Sequence, residues 1–157
     1  MSVAVCPGSF DPVTLGHIDI IRRSARLFDK VYVPALVNSE KRYMFSHEQR
    51  VDMLRLACAD IENVVVESYD GMLADYASAK GADIIVKGLR DAADFPYEQG
   101  MALANKFLSP GLETLFLSCD PALSHVSSTF VRELIKQKRD ASALLPKQIT
   151  KIIKTAY

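Results

Sequence analysis

Val3-Ala4-Val5-Cys6-Pro7-Gly8, and after it Thr14-Leu15-Gly16-His17-Ile18, is the stretch on which the fold of this chain turns. Its first half is a short apolar run closed by a Pro-Gly turn signal, the pattern of a buried strand. From Thr14 the period changes. Ile18, Ile21, Ala25 and Phe28 recur at helical spacing, Asp19, Arg22, Arg23 and Arg26 fill the opposite side, and Thr14 is of a type that caps a helix start. A strand, a loop and a helix thus open the chain, and the same alternation repeats downstream. Lys30 to Val37 is a second strand, in which Pro34 implies an edge, a bulge or an early end. Ser46 with Gln49 forms a capping-box pattern that opens a helix with Val51, Leu54 and Cys58 on its core side. Asn63 to Ser68 is a third strand, Met72 to Lys80 a helix stopped by Gly81, and Ile84-Ile85-Val86 a fourth strand. Tyr97, Met101, Ala104 and Leu108 mark the packing stripe of another helix, which Pro110-Gly111 ends. Thr114 to Leu117 is a fifth strand. Ser127 or Ser128 caps a helix with Val131, Leu134, Ile135 and Lys138 on one side, and Ile149, Ile152, Ile153 and Ala156 belong to a terminal helix.

Five apolar strands separated by helices predict an α/β fold: a doubly wound, Rossmann-like, five-stranded parallel sheet. The 157 residues are expected to form one domain, 1–157, with a C-terminal helix. Hydrophobic residues make up 49% and charged ones 24% of the chain, which excludes a disordered or collagen-like polymer. Nineteen basic and nineteen acidic residues cancel, so the basic surplus of a nucleic-acid binder is missing. The longest apolar run, Val31 to Val37, is far short of the roughly 20 residues a membrane span needs. No charged leader precedes an apolar stretch at the N-terminus, and Cys6, Cys58 and Cys119 are an odd, widely spaced set without a C-x-x-C pair. The expectation is a cytoplasmic protein with its thiols reduced and packed in the core.

In such sheets ligands sit outside the carboxyl ends of the strands, which directs attention to four loops. The first, Gly8 to His17, contains neither G-x-G-x-x-G nor a phosphate loop ending in Gly-Lys-Ser/Thr. It has small residues that let backbone approach a ligand, then Gly16-His17 in a first helical turn, where unpaired N–H groups and the positive dipole end suit a phosphate. The second loop carries Asn38, Ser39, Glu40, Lys41 and Arg42. Lys87-Gly88-Leu89-Arg90 is expected as the loop after the fourth strand. Val126-Ser127-Ser128-Thr129-Phe130-Val131-Arg132 is a second helix start with three hydroxyls in sequence. Two helix starts and several cations on one rim make a setting for a polyphosphate.

The T-x-G-H element of Thr14 to His17 and the run Val126-Ser127-Ser128-Thr129 with Arg132 resemble the paired H-x-G-H and I-S-S-T-x-x-R signatures of the nucleotidylyltransferase superfamily. Pro7 to Ile20 and Lys87 to Glu98 extend the likeness over nearly the whole chain, toward the branch that adenylylates 4′-phosphopantetheine in coenzyme A synthesis. The resemblance implies that ATP and 4′-phosphopantetheine react, with Mg2+ assisting, to dephospho-coenzyme A and pyrophosphate. It assigns transition-state stabilisation to His17, with Lys41 and Arg90 also around the α-phosphate. ATP would be held by Ser9, Phe10, His17, Gly88, Leu89, Arg90 and Glu98, and by the segment Leu123, Ser124, His125, Val126, Ser127, Ser128 and Thr129. The acceptor would lie against Ser9, Lys41, Leu73 and Lys87. The family is typically a homohexamer inhibited by coenzyme A. Ser9 replaces the usual threonine but keeps the hydroxyl. Lys87 replaces the usual arginine, keeping charge and losing the two-pronged fork. Leu123 stands where some members have an aromatic ring.

Plainer readings compete at several positions. His47 in the first turn of its helix reads as a surface residue, and His125 as a neighbour contributing backbone only. Asp11-Pro12 reads as a turn brace. Lys41 and Arg42 on their own read as a solvated pair, and Arg132 points at a phosphate or at a carboxylate. Tyr97 and Met101 read as core or subunit contacts. No His, Cys and Asp cluster has the spacing of a metal site. Other functions in play are a related transferase using nicotinate mononucleotide, a tRNA-binding fragment and a non-catalytic adenine-nucleotide sensor. The tRNA reading lacks a K-M-S-K-S run, an anticodon-binding extension and basic charge.

Overall fold

The structure, a computed structural model, describes residues 1–156. The strands are β1 (Val3–Val5), β2 (Lys30–Leu36), β3 (Val64–Tyr69), β4 (Ile84–Leu89) and β5 (Glu113–Ser118). The helices are α1 (Leu15–Leu27), α2 (His47–Cys58), α3 (Leu73–Ala79), α4 (Phe95–Leu108), α5 (Ser128–Lys136) and α6 (Thr150–Thr155). All strand pairs are parallel, in the order β3-β2-β1-β4-β5. The doubly wound, Rossmann-like sheet expected from the alternation is therefore present, and its order reverses between β1 and β4. Next to that reversal the chain leaves the sheet in opposite directions and opens a crevice at the carboxyl ends.

Side-chain alternation along the strands divides the core between the two faces. Ala4, Val31, Val33 and Val86 pack with Ile21 of α1, Leu54 of α2, Val131 and Ile135 of α5 and Ile153 of α6. Val5 and Ile85 point the other way, onto Ala74 and Ala77 of α3 and onto Leu112. Both expected N-caps form as reciprocal boxes, Thr14 with His17 and Ser46 with Gln49. At the third, Ser127 is the cap, accepting from Phe130 N–H at 3.0 Å.

Several expectations are corrected. Pro34 marks neither an edge nor a break, since β2 lies inside the sheet and pairs with β3 through Leu36. Leu36 N–H points to the β1 side and Val37 N–H to β3, so the proline nitrogen faces β1. The β1–β2 pairing runs on past Val5, with Cys6 N–H on Tyr32 O and Gly8 N–H on Pro34 O, so the proline leaves out one bond of that ladder without ending the strand. Lys87, Gly88 and Leu89 are not a loop but the last residues of β4, kept extended by pairing with Phe116, Leu117 and Ser118. Lys138 lies beyond the end of α5 in a left-handed conformation (φ 55°), and only Val131 and Ile135 of that stripe are buried. Of the thiols, Cys6 and Cys58 are core residues, and burial pushes the Cys6 thiol up to about 11 and Cys58 to about 12. Cys119 is only half-buried, at the rim of the crevice. The stripe expected on α4 is solvent-facing: Tyr97 is 67% exposed, and Phe107 on the same helix 86%. The helix covers the edge strand β5, where no further strand completes the layer, and it buries only Asn105.

Gly81 ends α3 with φ +64°, and a Cβ there would meet no atom within 4 Å. The cost of a side chain is then conformational alone. Gly81→Ala is expected to lower stability by about 1–2 kcal/mol with activity intact, measured as the shift in urea midpoint.

Candidate active site

The crevice between β1 and β4 is a cleft of about 800 Å³. Gly8, Ser9 and Phe10 after β1, Gly16 and His17 of α1, and Asn38 to Lys41 after β2 form one part of its wall. Asp70 to Leu73, the end of β4 with Lys87, Gly88 and Arg90, and the first turns of α4 form another, and Leu123 with Val126 to Thr129 closes it.

His17 is built into the fold through its backbone and ring at once. Its N–H donates to Thr14 Oγ1 at 3.4 Å, and its Nδ1 accepts the Thr14 N–H at 3.0 Å. A ring nitrogen that accepts an amide hydrogen carries none itself, so the proton of the neutral imidazole sits on Nε2. No acceptor among the described residues reaches Nε2, which leaves one directed donor at the cleft wall. The Phe10 ring meets the imidazole edge-on, centroids 5.0 Å apart, and has turned inward to do so. Phe10 takes φ 49°, an uncommon conformation for a bulky residue. Burial, and after it the charges of Lys87 and Arg90, lower the His17 pKa to about 4. The group is thus uncharged at neutral pH and donates without being an acid.

Two helix N-termini meet beside it. A Cβ at Gly16 would lie 3.7 Å from the Val126 carbonyl, and Ser128 Oγ donates to Pro12 O at 2.8 Å, tying the start of α5 to the first loop. The N–H groups of Gly16, Ser128 and Thr129 have no partner among the described residues, as expected of first helical turns. They face a site that suits an anion. The hydroxyls of this run also have partners within the protein: Ser127 caps α5, Ser128 binds Pro12, and Thr129 accepts from Arg132 at 3.2 Å. The cations are also engaged. Lys87 lies 3.3 Å from Glu98, and Arg90 grips Asp94 through Nε and Nη2 at 3.2 and 3.0 Å. An incoming phosphate competes with these carboxylates for both side chains.

Most of the expected residues converge: Ser9, Phe10, His17, Lys41, Leu73, Lys87, Gly88, Arg90 and Glu98 line the cleft, as do Leu123, Val126, Ser127, Ser128 and Thr129. Leu89, Ser124 and His125 do not. Leu89 is outside the lining, Ser124 turns its hydroxyl back onto Pro121 O at 3.0 Å, and His125 is exposed. Tyr97 and Met101 line the cleft instead of packing in the core. Arg132, open between phosphate and carboxylate, donates to the Asp11 carbonyl at 2.7 Å with the Asp11 carboxylate 3.9 Å away. Asp11 braces more than its own turn: its carboxylate accepts Met44 and Phe45 N–H, both at 2.9 Å, and so clasps the segment before α2. His47 is half-buried and bonded, its Nδ1 to Arg50 at 3.1 Å and its Nε2 to Ser68 Oγ at 2.5 Å. Nδ1 faces a guanidinium and must accept, so Nε2 donates and Ser68 is not a nucleophile awaiting a base. Arg50 itself was missed. The signal was its place at i−4 from Leu54, a charge on the apolar stripe of α2.

Among the described residues no three His, Cys, Asp or Glu side chains are grouped to hold a metal ion. Glu98 and Asp94, the carboxylates nearest the cations, are already paired. These residues do not fit a resident magnesium.

Fold and cleft define a nucleotidyltransferase: residues 5–134 match the cytidylyltransferase-like family. The chain superimposes on a bifunctional NMN adenylyltransferase/ADP ribose pyrophosphatase from Francisella tularensis with TM-score 0.73 at 17% identity, covering 98% of this chain and 49% of that one, a likeness of fold. It is 45% identical over 157 residues to the phosphopantetheine adenylyltransferase of Shouchella clausii, covering 100% of this chain and 99% of that protein. To the phosphopantetheine adenylyltransferase of Bifidobacterium longum it is 49% identical over 148 residues, 93% and 89% of the two chains. The chain belongs to the phosphopantetheine adenylyltransferase family.

The His17 ring is expected to show, by nitrogen NMR at pH 7, an unprotonated Nδ1 and a protonated Nε2, and to take a second proton only near pH 4. Between pH 6.5 and 4 the unfolded chain binds a proton that the folded imidazole refuses, so this group makes stability fall as pH falls through that window. A ring already doubly protonated at pH 6 contradicts the assignment.

Proposed function

We propose that the protein transfers the adenylyl group of ATP to the phosphate of 4′-phosphopantetheine, giving dephospho-coenzyme A and pyrophosphate. The observation that carries the reading is His17, its tautomer fixed by Thr14, with Nε2–H free beside two helix N-termini. The names of the relatives supply the acceptor.

The nucleophile is a phosphate oxygen of the acceptor, anionic at neutral pH. It attacks the α-phosphorus, a new O–P bond forms, and the bond from that phosphorus to the β-phosphate oxygen breaks. Pyrophosphate leaves with the electron pair. No proton has to be removed from the nucleophile, which agrees with an imidazole whose low pKa and fixed tautomer make it a donor. Catalysis then consists of aligning two anions and neutralising charge at the α-phosphate. Nε2–H of His17, Lys41 and Arg90 serve the α-phosphate region, and the unpaired N–H groups at the starts of α1 and α5 the remaining phosphates. Ser9, Leu73 and Lys87 face the acceptor. Lys87 must leave Glu98, and Arg90 at least part of its grip on Asp94, as the substrates enter. Magnesium arrives with the nucleotide, as part of the substrate, since a magnesium ion keeps several waters and binds through phosphates.

The exposed α4 face supports assembly into a homohexamer: Phe107, Leu103 and Leu108 lie open to solvent on one helix. The same reading has coenzyme A as feedback inhibitor and the cytoplasm as location. Among the described residues no helix is long and apolar enough to cross a membrane.

His17→Ala is expected to lower pyrophosphate release by about 10²–10³ with the melting temperature maintained, the usual cost of losing one preorganised donor. Pyrophosphate release with nicotinate mononucleotide and none with 4′-phosphopantetheine would overturn the acceptor. Phe107→Glu is expected to reduce the light-scattering mass below that of the wild-type assembly; an unchanged mass would remove α4 from the interface.

A further inference from the structure

Arg50 is 1% exposed and outside the lining of the cleft, yet it holds both loops that face each other across it. The β1–β2 pairing continues past Val5 through Gly8, whose carbonyl accepts Leu36 N–H at 2.8 Å. At that point the next carbonyls of both chains, Ser9 O and Leu36 O, turn onto Arg50 Nη1, at 2.5 and 3.2 Å. Nη2 donates to His47 Nδ1 at 3.1 Å, and the Tyr43 ring covers the guanidinium at 3.9 Å. Arg50 Nε is buried without an acceptor. A buried donor left unpaired is costly, so the guanidinium is oriented for the carbonyls against the interest of its own third nitrogen.

The two carbonyls belong to two different loops of the cleft wall. Ser9 leads into Phe10 and the loop that delivers His17. Leu36 leads into Asn38 to Lys41. One planar group whose Nη1 donates to both carbonyls fixes the spacing between these loops from behind.

We infer that Arg50 is a positioning residue for adenylyl transfer, setting the distance and angle between the loop that carries Ser9 and His17 and the loop that carries Lys41. This rests on the transferase reading above. Its consequence is a particular kinetic signature: each loop keeps its own contacts to the substrates, and the two loops no longer meet each other correctly. Misplacement of reacting groups by an ångström costs about 10²-fold in rate.

Arg50→Lys keeps the buried charge but cannot bond both carbonyls and His47 together. With ATP-binding stoichiometry from calorimetry used to count competent sites, kcat per site is expected to fall by about 10–100-fold, with ATP affinity and the KM for 4′-phosphopantetheine within about threefold of wild type. A role in stability alone would reduce the number of sites and leave kcat per site unchanged, and that result overturns the inference. If Arg50→Lys does not fold, His47→Ala removes the acceptor that orients Nη2. A drop of about 3–10-fold in kcat per site at unchanged ATP affinity is then expected, and wild-type kcat per site overturns the inference. Wild-type protein assayed alongside separates the two failures: no pyrophosphate from the wild type defeats the transferase reading, whereas normal wild-type turnover with normal variant turnover defeats only the role of Arg50.

Discussion

The hydrogen bond from Thr14 N–H to His17 Nδ1 is the interaction on which fold and chemistry both depend. As half of a capping box it satisfies a backbone donor at the start of α1 and fixes where that helix begins. The same bond decides which imidazole nitrogen holds the proton. A capping glutamine would serve the helix equally well, as Gln49 does for α2, but it would not present an aromatic N–H to the cleft. The position therefore serves two ends with one geometry, and the burial that depresses the pKa to about 4 keeps the donor uncharged among Lys87 and Arg90.

The first loop is held in place from several directions. Gly8 bridges to Ala35, Asp11 clasps the segment before α2, Ser128 bonds Pro12, and Arg132 and Arg50 take the carbonyls of Asp11 and Ser9. A loop so fastened pre-aligns its backbone N–H groups before any ligand arrives, which is where electrostatic catalysis gains most. The cations opposite are arranged differently. Lys87 and Arg90 rest on Glu98 and Asp94, so the positive charge in the cleft is balanced until a phosphate displaces the carboxylates. A rigid half and an exchangeable half thus face each other across the topological switch point.

Much of this was legible in the chain because local patterns carry it. The strand after Met1, the Thr14 cap, the Ser46–Gln49 capping box, the Gly81 stop and the apolar stripes of α1 and α2 are set by neighbours within one helical turn. The paired signatures around His17 and Ser127 pointed to one cleft, and most of their residues line it. The misreadings have a common origin in contacts between distant segments. Lys87 to Leu89 read as a loop because their β5 partners lie far along the chain, and the bonds of Ser128 to Pro12 and of Ser127 to its helix could not be seen in the serine run. Arg50 did not stand out, since its acceptors come from Ser9 and Leu36.

The amino-acid order by itself determined the alternation of strands and helices, the parallel α/β class and the two helix starts bearing Gly16-His17 and Ser127-Ser128, because period, caps and turn residues act over a few positions. Only the tertiary structure decided the place of β1 between β2 and β4, the tautomer and burial of His17, the pairing of each cation and the opening of α4 to solvent. Those follow from which surfaces exclude water and which donors find acceptors once remote segments meet, and neither quantity exists until the sheet has assembled.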